Sequence, residues 1–160
     1  MSASALQTAF LEDHRRLIQG LTAIVDAVEA KDWKRAGELA REVDSEAGAH
    51  MAFEEEVLYP RIAETRGRAF EDGLVAEHAI GQRAIKALVD LDPSTGMELE
   101  QRCSVLDELE VALGHTLSCG TLLSELAPAD TDRDAAELAL LEAYRRRPQL
   151  WSQRRYPRPG

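Results

Sequence analysis

Two residues that could bind a metal stand one helical turn apart in the segment HMAFEEEVLYP, residues 50–60: His50 and Glu54. Residues at positions i and i+4 lie on the same face of a helix. An ionised carboxylate that is removed from water is costly unless it is paired or bound to a metal. If this face lies inside a helical bundle, the spacing predicts that it is solvated or that a positive charge lies on it.

The histidines of the chain share this placement. There are four, one in each of four predicted helices and each in phase with apolar neighbours: His14, His50, His78 and His115. A single histidine on an apolar stripe is usually a core residue with a hydrogen-bond partner. Four in phase favour a shared metal site instead, because inward residues of an antiparallel bundle can meet at one level. Adding the carboxylate of Glu54 to imidazoles favours non-haem iron.

Glu54 opens a run of three glutamates, and its neighbours are predicted to behave differently. Because only Glu54 is in phase with His50, we expect Glu55 and Glu56 to form a solvated face. Tyr59 falls outside the same stripe, and we expect it to pack between helices rather than join the site.

The elements that must position these residues are all predicted to be helical. Ala, Leu, Glu and Arg dominate the composition, which favours helix. Apolar residues at three- and four-residue spacing predict long helices over about residues 4–30, 32–65, 69–91 and 97–126, and a shorter one over about 132–146. We expect a kink or an end at Pro60, and an end of the fourth helix before Pro128. The fold class is therefore all-α: an antiparallel four-helix bundle over residues 1–146, including the short C-terminal helix, and a basic tail over residues 147–160.

Charge is distributed unevenly along the chain. The net charge of −10 argues against a nucleic-acid partner for the body. From Tyr144 onward, however, there are six arginines and no acid: Arg145, Arg146, Arg147, Arg154, Arg155 and Arg158. This tail could bind an acidic partner, a nucleic acid or an anionic membrane; the favoured expectation is that it folds back on the acidic body.

Location is predicted from the cysteines and the apolar runs. The two cysteines, Cys103 and Cys119, do not make a disulfide framework and suit a reducing compartment. No apolar run approaches the ~20 residues that span a bilayer, and the N-terminus lacks an export signal. We therefore expect a cytoplasmic protein. Cys103 is predicted to pack away from the histidines.

Together these segments resemble the haemerythrin-like family, helical bundles with a non-haem di-iron centre. The similar pieces are LEDHRRLIQGL, HMAFEEEVLYPRI, AEHAIGQRAI and HTLSCGTLLSEL, of which the second is the most specific. The resemblance covers about residues 5–145. It implies that Glu54 bridges two metals and that four histidines are their terminal ligands: His14, His50, His78 and His115.

The resemblance departs from the family at Cys119. Aligning HTLSCGTLL with HMAFEEEVL places Cys119 where the family carries its second bridging acid, and Gly120 occupies the next position. Three interpretations remain open: two irons bridged by Glu54 and solvent, with Cys119 as a ligand or close neighbour; a single metal, which thiolate would shift toward zinc or copper; or an inert, packed cysteine.

Two functions are compatible with this site. The leading one is binding, sensing or reaction with O2, peroxide or nitric oxide at a di-iron centre. The alternative is a metal-stabilised signalling or interaction module with a single structural metal and no redox chemistry. A haem-binding bundle is less favoured because no c-type attachment motif is present. The sequence leaves open whether the protein is an O2- or peroxide-dependent oxidoreductase. It identifies no general base and no pocket for an organic substrate, so no enzymatic activity is assigned from it.

Overall fold

Four long helical rods form an antiparallel bundle, as predicted. A computed structural model describes residues 4–125 and 131–157. The first rod is α1 (Ala5–Glu29). The second consists of α2 (Trp33–Phe53), a π-helical turn (Glu54–Leu58) and α3 (Tyr59–Arg66). The third is α4 (Arg68–Val89), and the fourth is α5 (Leu99–Cys119). The short helices α6 (Leu122–Glu125) and α7 (Thr131–Arg145) follow.

Local sequence signals set the connections between the rods. Ser4 accepts a hydrogen bond from the backbone N–H of Gln7, and Asp32 does the same for Arg35, so both residues cap the helices that they precede. Gly67, with φ of +85°, joins α3 to α4, and Gly96, with φ of +68°, closes the turn before α5. These short connections return the chain antiparallel to itself.

The second rod changes register at the π-helical turn. The backbone N–H of Tyr59 donates to the carbonyl oxygen of Glu54, five residues earlier, which inserts one residue relative to an α-helix. Val57, predicted to lie on the buried stripe, is only half-buried, whereas Leu58 and Tyr59 are fully buried. The second rod does not end at Pro60, which lies in the first turn of α3; the irregularity lies upstream of it, over Glu54–Leu58.

Two apolar clusters fill the bundle, and the histidines lie between them. One cluster includes Leu17 and Ala112, and the other includes Phe10 and Cys119. In α1, His14 falls between Phe10 and Leu17, and in α5, His115 falls between Ala112 and Cys119. The polar residues thus form a layer across an otherwise apolar core.

The fourth rod ends earlier than predicted. Helix α5 stops at Cys119, and the chain turns through Gly120 before α6. The hydroxyl groups of Ser118, Thr121 and Ser124 donate to backbone carbonyls three or four residues earlier, and such bonds compete with regular helix. Leu126 and Pro128, the predicted end, lie outside the described residues. Cys103, predicted to pack, is exposed.

The segment after α7 returns to the bundle. Trp151 opens a short 3-10 turn and is 2% exposed. It packs against α4 so closely that a Cβ atom added at Gly81 would lie 2.7 Å from its ring. Ser152 donates to the buried carboxylate of Asp44 through both its backbone N–H and its hydroxyl. Described residues of the basic tail therefore contact the body of the chain, while Arg158 lies outside the described residues.

Within the described part of the chain, none of the helices has the length and apolar character needed to cross a membrane.

Candidate metal centre

Four histidines and one glutamate converge in the middle of the bundle. Each side chain is buried, with a residue exposure of 6% or less: His14, His50, Glu54, His78 and His115. These residues come from all four rods. The structure thus brings together the histidines and the carboxylate that the sequence singles out, and Cys119, 1% exposed, lies beside them.

The two oxygens of Glu54 face different histidines. Oε1 lies 3.4 Å from Nε2 of His14 and 3.2 Å from Nε2 of His50. Oε2 lies 3.0 Å from Nε2 of His78, and ligand atoms of Glu54, His78 and His115 lie within 4.8 Å of one another. The imidazole rings pack edge to face as His14–His50 and His78–His115 pairs, with centroids 4.6 Å and 4.5 Å apart. One carboxylate therefore joins two pairs of histidines.

The second ring nitrogen of every site histidine, Nδ1, donates a hydrogen bond away from the cluster. The bonds run from His14 to the carbonyl oxygen of Phe10 (2.9 Å), from His50 to Asp13 (3.2 Å), from His78 to Glu55 (2.7 Å) and from His115 to Glu77 (2.6 Å). Because a carbonyl or carboxylate oxygen has no proton to give, Nδ1 holds the ring proton. The neutral ring then carries its lone pair on Nε2. Three of these Nε2 atoms lie within 3.4 Å of Glu54, and that of His115 lies 3.1 Å from the Tyr59 hydroxyl.

The cluster has more acceptors than protons. When all four imidazoles are neutral, as metal binding requires, its acceptors are four Nε2 atoms and two carboxylate oxygens, while the hydroxyl of Tyr59 and the thiol of Cys119 each donate to Glu54, over 2.9 Å. Nε2 of His50 lies 3.2 Å from Glu54 but has no hydrogen-bond partner among residues 4–125 and 131–157. A cation would satisfy these acceptors, and imidazole with carboxylate is a donor set that iron and zinc accept. The residues present therefore fit a metal.

Opposite charges on Glu54 and His50 overcome the cost of burying them. Burial raises the pKa of Glu54, but the charge of His50 and hydrogen bonds with three histidines bring that pKa well below its usual range. Burial lowers the pKa of His50, but the charge of Glu54 and the bond to Asp13 raise it to about 9. Without a metal, a proton on His50 supplies positive charge that the carboxylate requires.

Tyr59 belongs to the site, contrary to the sequence prediction. Its hydroxyl lies 3.0 Å from Nε2 of His78, 3.1 Å from Nε2 of His115 and 3.4 Å from Sγ of Cys119. On a regular α-helix, a residue five positions after Glu54 would lie on another face; the π-helical turn brings it to the same face. No periodicity argument based on 3.6 residues per turn could have found it.

The prediction that Glu55 forms a solvated face is also wrong. The Glu55 side chain is 11% exposed and holds His78, whereas Glu56, at 53%, is exposed as predicted. Asp13 and Glu77 were missed as well. Each directly precedes a site histidine in sequence but binds the histidine of a neighbouring helix. The adjacent pairs Asp13-His14 and Glu77-His78 were the signal in the sequence that could have identified these two acids.

Cys119 points into the cluster. Its Sγ donates to Glu54 Oε1 over 2.9 Å, and ligand atoms of His14, Glu54 and Cys119 lie within 4.8 Å of one another. Burial and the charge of Glu54 raise the pKa of the thiol well above its usual range. The Cys119 thiol is therefore protonated when no metal is present.

The part of the chain that supplies all four histidines and Glu54 also matches a known family. A family model described as the hemerythrin HHE cation binding domain matches residues 6–115, more than half of the chain. The chain belongs to the haemerythrin HHE family. No curated protein and no solved structure matches it. The family match makes this a cation-binding domain, and it ends at His115, before Cys119.

In the described part of this haemerythrin HHE domain, two groups of residues could hold a metal. They are His14, Glu54 and Cys119 in one group, and Glu54, His78 and His115 in the other. Glu54 is shared by the two groups, and its two oxygens face opposite sides. The arrangement therefore offers candidate metal ligands at both oxygens of a single carboxylate.

Proposed function

We propose that this haemerythrin HHE domain binds two iron ions bridged by Glu54 and that it binds, senses or reacts with O2, peroxide or nitric oxide. The observation that carries the proposal is the orientation of the four histidines. Every Nδ1 atom is held by an acceptor. This leaves three Nε2 atoms within 3.4 Å of Glu54 and that of His115 at 3.1 Å from the Tyr59 hydroxyl. Iron bound there would supply the redox chemistry and the coordination position for the small ligand.

The donors divide into two sets around Glu54. His14 and His50 lie at Oε1, with the thiol of Cys119. His78 lies at Oε2 with the hydroxyl of Tyr59, and His115 belongs to the same set. Each set has two imidazoles and one carboxylate oxygen, the combination typical of non-haem iron sites that keep open positions. In this proposal Cys119 is a donor to the first set.

A cavity beside His50 supports ligand binding at the first set. A cavity of about 380 Å³ has Asp13, His50 and Arg145 in its wall. His50 is therefore close to space that a diatomic ligand or peroxide could enter, although its Nε2 atom is buried.

The alternative function is a signalling module with a single structural metal. Among residues 4–125 and 131–157, the group that donates to Glu54 Oε1 is the thiol of Cys119 rather than a second carboxylate, which favours this alternative because the two sets then share one bridge from the protein. Glu55 holds His78 and also accepts hydrogen bonds from Arg154 and Tyr156 of the C-terminal segment. In this alternative, these contacts would link metal binding to the packing of that segment on the bundle.

Metal content per chain after anaerobic purification, with an absorption spectrum before and after air, tests the proposal. We expect about two irons and a near-ultraviolet oxo-bridge band after air. His50→Ala and His78→Ala should each lower the content to about one, while Glu56→Gln, in the exposed part of the same run, should leave it at two. One metal in the unaltered chain would support the alternative.

Azide then separates ligand binding from a structural role. If iron has an open position, azide should change the spectrum of the oxidised protein. A spectrum that azide and peroxide both leave unchanged would contradict the proposed small-ligand chemistry.

A further inference from the structure

The C-terminal segment contacts a carboxylate that holds a site histidine. Glu55 accepts from Nδ1 of His78 through Oε1, over 2.7 Å. The hydroxyl of Tyr156 donates to the same oxygen over 2.6 Å. Arg154 donates to Oε2 through Nε and Nη2, over 3.0 Å and 2.6 Å. Four hydrogen bonds therefore fix both oxygens of this carboxylate.

The burial of Glu55 makes these contacts necessary. Its side chain is 11% exposed, and a charged group removed from water is costly without partners. Glu77, which holds His115, is 45% exposed and can be solvated instead. Of these two supporting glutamates, Glu55 therefore depends on the C-terminal segment for its position.

The segment that carries Arg154 and Tyr156 is itself held in place. Trp151 is buried against α4, and the side-chain amide of Gln82 donates to the carbonyl oxygens of Trp151 and Arg154. The hydroxyl of Tyr156 also accepts from the indole N–H of Trp151 over 3.2 Å. The two side chains thus reach Glu55 from a fixed backbone.

We propose that Arg154 and Tyr156 are positioning residues of the metal centre, which fix Glu55 and thereby the ring of His78. The inference rests on the proposed function, in which Nε2 of His78 binds a metal. Outer hydrogen-bond partners set the orientation and basicity of a ligating histidine. Residues from the basic tail therefore complete one half of the site.

Cobalt(II) titration of the metal-free, full-length chain, followed by the visible absorption of the bound ion, tests this inference. We expect one of the two binding steps to weaken about 10-fold in Arg154→Gln and about 3-fold in Tyr156→Phe, with an altered cobalt spectrum. Arg155→Gln changes an exposed neighbour and should bind like the unaltered chain.

A double-mutant cycle separates positioning from general stability. In a Glu55→Gln background, Arg154→Gln should cause little further loss of cobalt affinity, because its effect passes through Glu55. Equal losses in both backgrounds, or variants that bind cobalt like the unaltered chain, would overturn the inference. An unaltered chain that binds no cobalt would instead overturn the proposed function.

Discussion

The hydroxyl of Tyr59 donates a 2.9 Å hydrogen bond to Oε2 of Glu54, five residues earlier in the same rod. This contact exists because the helix between the two residues is a π-helical turn. It places a proton donor between the carboxylate and the His78–His115 pair, both of whose Nε2 atoms lie within 3.1 Å of the hydroxyl oxygen. The helix irregularity is therefore part of the site.

Tyr59→Phe should destabilise the metal-free protein. It removes a donor to a buried carboxylate, which costs about 2 kcal/mol. Urea unfolding in the presence of a chelator measures the change. Tyr144→Phe is the matched control, since that hydroxyl donates to the exposed Glu56, and its cost should stay within about 0.5 kcal/mol. Equal costs for the two variants would mean that the Tyr59 hydroxyl has no special role.

The two cysteines should differ sharply in reactivity. Cys103 is exposed, whereas Cys119 is buried and its thiol pKa is raised by burial and by the charge of Glu54. In the folded, metal-free chain we expect iodoacetamide to label Cys103 alone, and both residues after unfolding. Peptide mass spectrometry assigns the label. A Cys103→Ser chain that still labels when folded would show that Cys119 is accessible.

Stability of the metal-free protein should fall as pH rises from about 6.5 to about 9. His50 has a pKa of about 9 in the folded chain against an ordinary value of 6.5, so its proton stabilises the folded state below pH 6.5 and this contribution is lost toward pH 9. Burial lowers the pKa of His78, but Glu54 and Glu55 raise it overall, and its contribution has the same sign. Thermal unfolding with chelator at several pH values measures the trend.

Metal affinity should change with pH in the opposite direction. Because His50 must lose its proton to bind a metal, affinity should rise up to tenfold per pH unit below pH 9. Calorimetry in buffers of different ionisation enthalpy would detect the released proton. The control for both trends is His50→Gln, in which the fall in stability of the metal-free protein with rising pH should weaken. If that fall is unchanged in the variant, groups other than His50 cause it.

Two glycines of α4 should respond oppositely to alanine. A Cβ atom at Gly81 would meet the Trp151 ring at 2.7 Å and Ala112 at 2.9 Å, whereas one at Gly73 would meet nothing within 4 Å. Gly81→Ala should therefore destabilise the fold by about 1–3 kcal/mol, and Gly73→Ala should stabilise it by about 0.5–1 kcal/mol. Denaturant unfolding decides between these signs. A neutral Gly81→Ala would mean that Trp151 can move away freely.

The sequence alone determined the bundle and which residues its rods bring together. Apolar residues at helical spacing place one histidine on the inner face of each rod, and His50 and Glu54 share a face because they are four residues apart. These inferences succeed because α-helical periodicity is a local property.

Tertiary structure decided the rest of the site. Tyr59 joins it through a change of helical register, and Asp13 and Glu77 hold histidines of neighbouring helices rather than those beside them in sequence. Glu55 is buried because the chain returns about 100 residues later with Arg154 and Tyr156. Such partners depend on how separate elements pack, and no local pattern specifies that packing. The sequence therefore determined the residues that line the candidate metal site, and the folded chain determined what orients them.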